Sequence, residues 1–502
     1  MMKTFRYNCL MPTSRLSNAL QTMSIGLIAV ILGACQQTPL SFTPTQAPSL
    51  ANFDTQPNLP QVGNIYLPNE QPFIDVTPNG VTLPYQLQRT TSATQNLSNR
   101  MSLVAISPTI PFDNPDILQV AFQEKARSLA LTQADACLET FETRVTLHSI
   151  NISLTCPASA NHLYHLLIQF WQPDAFSETA AIDIDNIRRQ LKLNKHLNAF
   201  SGAEIDKVWR DKLLGTAHPY NKNINNQALF DSLSLSELSR LQQNTFAQAN
   251  WQLFLPNHAQ TEFDIKQSLS QWPTRINTHS SSHLINTQQP PQSRTLYLID
   301  APGSVQTQVR IGYALDDKHL SAQDMPLACR SLAALLGRSF SGRLYYDLRE
   351  KRGLTYGIYG QCANAPLSTS IKFYGSTAIE HTGAFVVGIL DHLKLLASTP
   401  ASEGELAALK TYLIGEALLT QDNPNLSETQ FIHQQVLRLA PQSIQAINLK
   451  LQALSPNQLM QLAQQAFYGE PLIILRGDVA KISADLSAKL PGWQLEEVKV
   501  ND

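Results

Sequence analysis

The chain has 502 residues, with 37 Lys and Arg against 39 Asp and Glu, for a formal net charge of −2. That length exceeds one ordinary domain and predicts two to four. So small a charge, with the two signs interspersed, gives no long-range field that would favour nucleic acid or an acidic substrate. A hydrophobic content of 43% suits a globular body.

Residues 1–34 read as a leader. Lys3, Arg6 and Arg15 precede Met23–Ala34, an apolar run too short to span a bilayer comfortably. The run ends in LGAC, Leu32–Cys35. Small residues before a Cys, directly after an apolar core, resemble the lipobox of bacterial lipoproteins. The resemblance implies a signal peptide cleaved before Cys35 and lipid on that residue, which anchors the chain to a membrane. An ordinary signal peptide with an incidental Cys, or a short membrane anchor, is the alternative. Residues 35–70 read as a flexible tether, rich in Pro, Gln and Thr, with Asp54 as its one charge up to Pro68. Gln36 after the Cys resembles the outer-membrane sorting pattern. The expected location is therefore the periplasmic side of a Gram-negative outer membrane.

Residues 71–277 read as a first domain mixing strands and helices. LETFETRVTL and SINISLT, between Cys137 and Cys156, read as two strands that turn near Thr146. In such a hairpin the two Cys face each other at the open end, so a disulfide is expected in an oxidising compartment, with two packed free thiols as the alternative. His162 and His165 lie three apart on a helix, with no Glu between them, and read as half-buried surface residues. Residues 278–294 are polar with a Pro pair and read as a linker. His279 and His283 fall within it, where no third metal ligand can be named.

A second domain is read at 295–492. Its strands are RTLYLIDA, VQTQVRIGYAL and STSIKFYGST; its helices are DMPLACRSLAALLG, GAFVVGILDHLKLLAS and ASEGELAALKTYLIGEALL. SIKFYGST is expected at a sheet edge, open to an added peptide strand. Cys329 and Cys362 are a further pairing whose separation the sequence does not fix. The end of this half echoes the end of the first. At a constant offset of 221, Leu233 matches Leu454, Ser234 matches Ser455, Leu238 matches Leu459 and Phe246 matches Phe467. Each copy reads as an amphipathic helix, capped by Ser, that runs into an apolar strand. The expected fold is α+β: two homologous domains, each a mostly antiparallel sheet with helices on one face, facing each other across a chamber.

SGRLYYDLREKRGLTYGIYG, residues 341–360, is the most distinctive stretch. Together with LLGTAHPYNKNINN (Leu213–Asn226) and KTYLIGEALLTQDNP, it resembles the insulinase/pitrilysin metallopeptidase family, the inverzincins, over roughly residues 75–490. Active members carry H-x-x-E-H on an early helix, where two His bind zinc and the Glu acts as base. Here NPDILQVAFQEKARSLAL (Asn114–Leu131) stands in that place without a His, and the later helix IDNIRRQLKLNKHLNAF supplies no Glu. No G-x-S-x-G elbow and no phosphate loop is present. The resemblance implies no metal ligand and no catalytic residue on this chain. It also implies an Arg on a helix and a Tyr on the following strand, here Arg349 and Tyr356, as substrate-binding groups. A guanidinium and a phenol can hold or polarise a peptide carbonyl.

Some bacterial members of that family divide the work between two chains. The expectation is thus a substrate-binding subunit without its own catalysis. Its partner would be a zinc-bearing relative, the zinc would belong to that partner, and the substrate would be a peptide or unfolded protein. A scaffold or assembly lipoprotein with a retired peptidase fold is the rival.

Overall fold

The computed structural model describes residues 85–87, 99–200, 202–221, 227–255, 272–273, 293–337, 342–439 and 443–499. The leader, Cys35, the tether, His279 and His283 lie outside the described residues.

Two sheets organise these residues. The first takes β1 (Tyr85–Leu87), β2 (Asn99–Ile106), β3 (Glu142–Val145), β4 (Ser149–Cys156) and β5 (Asn250–Leu255), in the order β1-β5-β2-β4-β3. Its helices are α1 (Pro115–Gln133), α2 (Ala160–Ile168), α3 (Ile184–Phe200), α4 (Ala203–Leu214), α5 (Gln227–Ser232) and α6 (Leu235–Gln248). The second takes β6 (Thr295–Asp300), β7 (Gln306–Leu315), β8 (Thr355–Ala365), β9 (Ser368–Ala378), β10 (Leu472–Gly477) and β11 (Gln494–Glu497), in the order β11-β6-β10-β7-β9-β8. Its helices are α7 (Met325–Gly337), α8 (Thr382–Ser398), α9 (Glu403–Asp422), α10 (Pro424–Val436), α11 (Ser443–Ala453), α12 (Pro456–Ala466) and α13 (Val479–Lys489).

With β11 set aside, the two orders are the same strand for strand. Directions agree too: β1 on β5 and β6 on β10 are parallel, and the remaining pairs are antiparallel. The echo of the sequence falls on α6–β5 and α12–β10. Ser234 and Ser455 cap their helices alike, each hydroxyl accepting from the amide N–H three residues on, in Glu237 and Gln458.

Strand alternation decides which face meets what. In β4, Ile150, Ile152 and Leu154 enter the first core beside Met101 and Leu103 of β2, under α1, α2 and α6. Asn151 and Ser153 point to the opposite face. That face is covered by a helix of the other half: Phe431, Ile432 and Val436 of α10 pack on Val104, Ile106 and Phe254. The arrangement is reciprocal. Ile205, Val208, Trp209 and Leu213 of α4, a helix of the first half, pack on Ile299, Leu472 and Ile474 of the second sheet. Ala203 and Pro424, which open α4 and α10, are separated by the same 221 residues as the echoed pairs. Each half therefore covers one sheet face with its own helices and lends one helix to its neighbour.

Two expectations need correcting. First, β9 lies between β7 and β8, so SIKFYGST is hydrogen-bonded on both sides. The edge on that side of the sheet is β8. Second, LETFETRVTL is not one strand: Ala136–Thr140 is a 3₁₀ turn, entered through Asp135, whose side chain accepts from Cys137 N. Cys137 thus meets Cys156 from this turn; the two are disulfide-bonded, with Cα atoms 5.5 Å apart. Cys329 on α7 and Cys362 on β8 form a second disulfide, with Cα atoms 5.3 Å apart.

Candidate functional site

Arg349 sits on a π-type helical segment, Tyr345–Lys351. Such wide turns are rare and gather at functional sites. Buried polar contacts hold the segment in place. At its entry Arg343 donates to both oxygens of Glu405, at 2.7 and 3.1 Å, and both side chains are almost fully buried. Within it, Asp347 accepts from Arg352 at 2.9 Å and pairs with His392 of α8 at 3.0 Å. Burial pushes the Asp347 carboxyl up, but the bonds from His392 and then Arg352 outweigh that and hold it below the usual range. Gly353 then reverses the chain at φ 64°, a left-handed conformation that glycine adopts without strain.

Tyr356 follows on the edge strand. The β8–β9 register shifts between Thr355 and Ile358, so Tyr356 and Gly357 together oppose Ser376. Such a bulge re-aims a side chain. Tyr356 is 88% exposed, the highest value among the large apolar and aromatic side chains of the described residues. Thr355 pins the bulge, donating to Ser376 O and accepting from Gly357 N. The Arg349 guanidinium lies 4.6 Å over the Tyr345 ring and 3.6 Å from Glu350. Arg349 and Tyr356 are both presented outward from a rigid base.

The helices in the expected metal-site positions carry different chemistry. On α1, buried Glu124 accepts from Arg127 at 2.9 Å and from Asn186 of α3 at 2.7 Å. Burial pushes Glu124 up, and the Arg127, Asn186 and Asp183 hydrogen bonds outweigh it to leave the carboxyl low. This network ties α1 to α3. Among the described residues, one group of three close metal-type donors occurs: Asp135, Cys137 and His162. The Cys137 sulfur is committed to its disulfide, and His162 pairs with Asp135 at 2.7 Å. His165 is on the same helix, α2.

A cavity of about 810 Å³ opens between the halves. The β3–β4 turn, α4, the β8–β9 turn and α10 form its walls; Arg349 and Tyr356 are not among its lining residues. Tyr220, from the His-Pro-Tyr stretch, locks one end. His148 Nδ1 lies 2.6 Å from Ser107 O, an acceptor, so that nitrogen carries the hydrogen. His148 Nε2 then accepts from the Tyr220 hydroxyl at 2.8 Å, and the hydroxyl oxygen accepts from Leu367 N at 3.0 Å. One phenol thus joins the two domains, a role nothing local in the sequence signals.

The sequence model of the family described as Peptidase M16 inactive domain matches residues 257–413. The chain is 26% identical over 133 residues to the "Uncharacterized zinc protease YmxG" of Bacillus subtilis. Over residues 257–413 the chain is thus similar to the M16 peptidase family. The Bacillus match covers 26% of this chain and 32% of the relative's own length. Among solved structures, a peptidase M16 inactive domain from Pseudomonas fluorescens superposes with a TM-score of 0.61 at 17% identity, over 80% of this chain and 96% of that one. A protease from Helicobacter pylori gives 0.62 at 12% identity, over 81% and 100%. The periplasmic protease PqqL of Escherichia coli gives 0.56 at 13% identity, over 92% of this chain and 50% of that one. These likenesses establish the fold, which this chain shares with those structures.

Proposed function

We propose that this chain is a substrate-binding subunit of the M16 peptidase kind that performs no catalysis alone and presents Arg349 and Tyr356 to a zinc site on a partner chain. The partner would be a zinc-bearing M16 peptidase, the substrate a peptide or unfolded protein, and the anchor a lipid on Cys35 at the periplasmic face of an outer membrane. One contrast carries the reading. The Arg/Tyr segment stands on a buried polar base and projects an 88% exposed Tyr356 from a bulged edge strand, while Glu124 and Asn186 join the two helices from which zinc ligands would come. Bulges of this kind re-aim a side chain and are over-represented next to active sites.

The test is a co-purified complex of the intact chain with the zinc-bearing partner. The chain alone is expected to hold no stoichiometric zinc and to cleave no peptide. Arg349→Ala and Tyr356→Phe should leave the complex assembled and lower its peptide turnover. Loss of one donor to a transition-state oxyanion costs about 2.7–4 kcal/mol, roughly a hundred- to thousand-fold in rate. One tightly bound zinc per isolated chain overturns the proposal. Unchanged turnover in both variants overturns the Arg/Tyr assignment and leaves the scaffold.

A further inference from the structure

The interdomain cavity has a charge imbalance unrelated to the Arg349 segment. Four permanent or near-permanent cations line it: Arg144, Arg210, Arg310 and Lys372. Asp206 is the one carboxylate among its lining residues. That carboxylate already serves two cations, accepting from Arg310 Nε at 2.8 Å and from Lys372 Nζ at 2.9 Å. Both cations stand on β-strands of the second sheet, beside the Tyr374 ring, at 5.3 and 5.4 Å from its centroid. Arg210 adds a buried Nε that has no hydrogen-bond partner. Its acidic neighbours Asp116 and Asp211 act on it only through space and are not among the lining residues.

The partners of the Asp206 cluster respond unequally, and the inequality has a physical cause. Burial pushes the Asp206 carboxyl up, but the Arg310 hydrogen bond and then the Lys372 charge outweigh it, so the carboxyl is low. Lys372 is also pushed down, first by burial; Asp206 opposes this, while Arg310 and Arg210 reinforce it. A single carboxylate satisfies itself and cannot neutralise all the positive charge around it. An additional anion would offset the remaining positive charge and give Arg210 Nε an acceptor. Away from these charges the wall mixes polar side chains, among them Asn151, Gln361 and His433, with an apolar strip formed by Trp209 and Leu213 on α4 and Ile432 and Val436 on α10. A cavity of about 300–1,000 Å³ that offers an apolar strip beside a few convergent charges has the size and character of a small-molecule site.

We propose that this cavity binds an organic carboxylate with an apolar body, its charged head among Arg210, Arg310 and Lys372 and its body along Trp209, Leu213, Ile432 and Val436. A free aromatic or aliphatic acid and the carboxy-terminal residue of a peptide share that chemistry.

Isothermal titration of the intact chain tests it with three probes: N-acetylphenylalanine, its neutral amide, and an acetylated tetrapeptide of three alanines ending in phenylalanine with a free carboxylate. The acid is expected to bind at one per chain, at least tenfold tighter than the amide, and more weakly as salt is raised. A tetrapeptide that binds tighter than the acid identifies a peptide terminus as the source; one that binds equally or less identifies a free acid. Arg210→Gln and Lys372→Gln should each weaken the acid at least tenfold, whereas the surface control Lys394→Gln should not; thermal melts establish that each variant is folded. Acid and amide binding alike, no binding of the acid at millimolar concentration, or wild-type affinity in both folded cavity variants would overturn the proposal. None of these readouts uses proteolysis, so they stand apart from the test of Arg349 and Tyr356.

Discussion

Arg343 and Arg349 lie six residues apart in the same distinctive stretch and have opposite fates. Arg343 is 1% exposed and bidentate to Glu405; Arg349 has a side chain 36% exposed. Sequence reasoning found the second and passed over the first, because the partner of Arg343 lies 62 residues downstream and no local pattern joins them. The same blindness covers Tyr220, whose partners are 72 and 147 residues away. Glu405 has further bonds: it accepts from the Ser402 amide at 2.9 Å, while the Ser402 hydroxyl caps the start of α9. Arg343→Met should therefore leave a buried carboxylate without its countercharge. Breaking one side of a buried pair costs about 3–5 kcal/mol. Urea unfolding should show that loss, with Arg343→Lys intermediate because an ammonium cannot form the fork. A loss under about 1 kcal/mol would mean that Glu405 takes up a proton at little cost.

At the scale of elements, periodicity and caps were legible and pairing partners were not. The echoed helix–strand units follow from apolar spacing and a leading Ser, both local signals. The place of β9 within its sheet depends on β7 and β8 arriving on either side, and its own residues do not encode that. Nor does FETRV announce that a 3₁₀ turn precedes it. The bulge at Tyr356 and the π-type turn at Arg349 were equally hidden, since each inserts one extra residue into a regular element without changing composition. The cap reading is directly testable. Ser455 has a full capping box, its hydroxyl accepting from Gln458 N and the Gln458 side chain accepting from Ser455 N at 2.9 Å. Ser455→Ala should cost about 0.5–2 kcal/mol in thermal or urea unfolding, and Ser455→Asp should recover most of it. If Ser455→Ala is silent, the helix is held by its packing against α7 and α8 alone.

For the whole molecule, the exchange of α4 and α10 makes the two halves interdependent. α4 brings Asp206 to Arg310 and Lys372; α10 brings Glu428 to Ser102 at 3.1 Å and to Asn151 at 2.8 Å. Polar residues on the outer faces of β2 and β4, which alternation alone would assign to solvent, are there to receive a helix from the other half. The His148–Tyr220–Leu367 chain crosses the same boundary and is sensitive to proton concentration. Burial pushes the His148 imidazole below its ordinary value, against the weaker pull of Ser107 O. Its neutral form is the one that accepts from Tyr220, and a proton on Nε2 would turn that acceptor into a donor. The unfolded chain therefore binds the proton more readily than the folded one, so stability rises with pH in this window. The contribution is complete above about 6.5, the unfolded value, and is lost as pH falls below it towards the depressed folded value. The midpoint of thermal unfolding should fall between about pH 6.5 and pH 5. His148→Gln, which cannot titrate, should lower the midpoint at pH 7.5 yet flatten its decline on acidification. Some slope should remain, because burial also depresses His218. A His148→Gln variant whose melting point declines as steeply as wild type would place the acid sensitivity elsewhere. The carboxylate Asp206, held low by Arg310 and Lys372, cannot take it over above pH 5, since its contribution persists until pH drops below the ordinary carboxylate range of about 3.9.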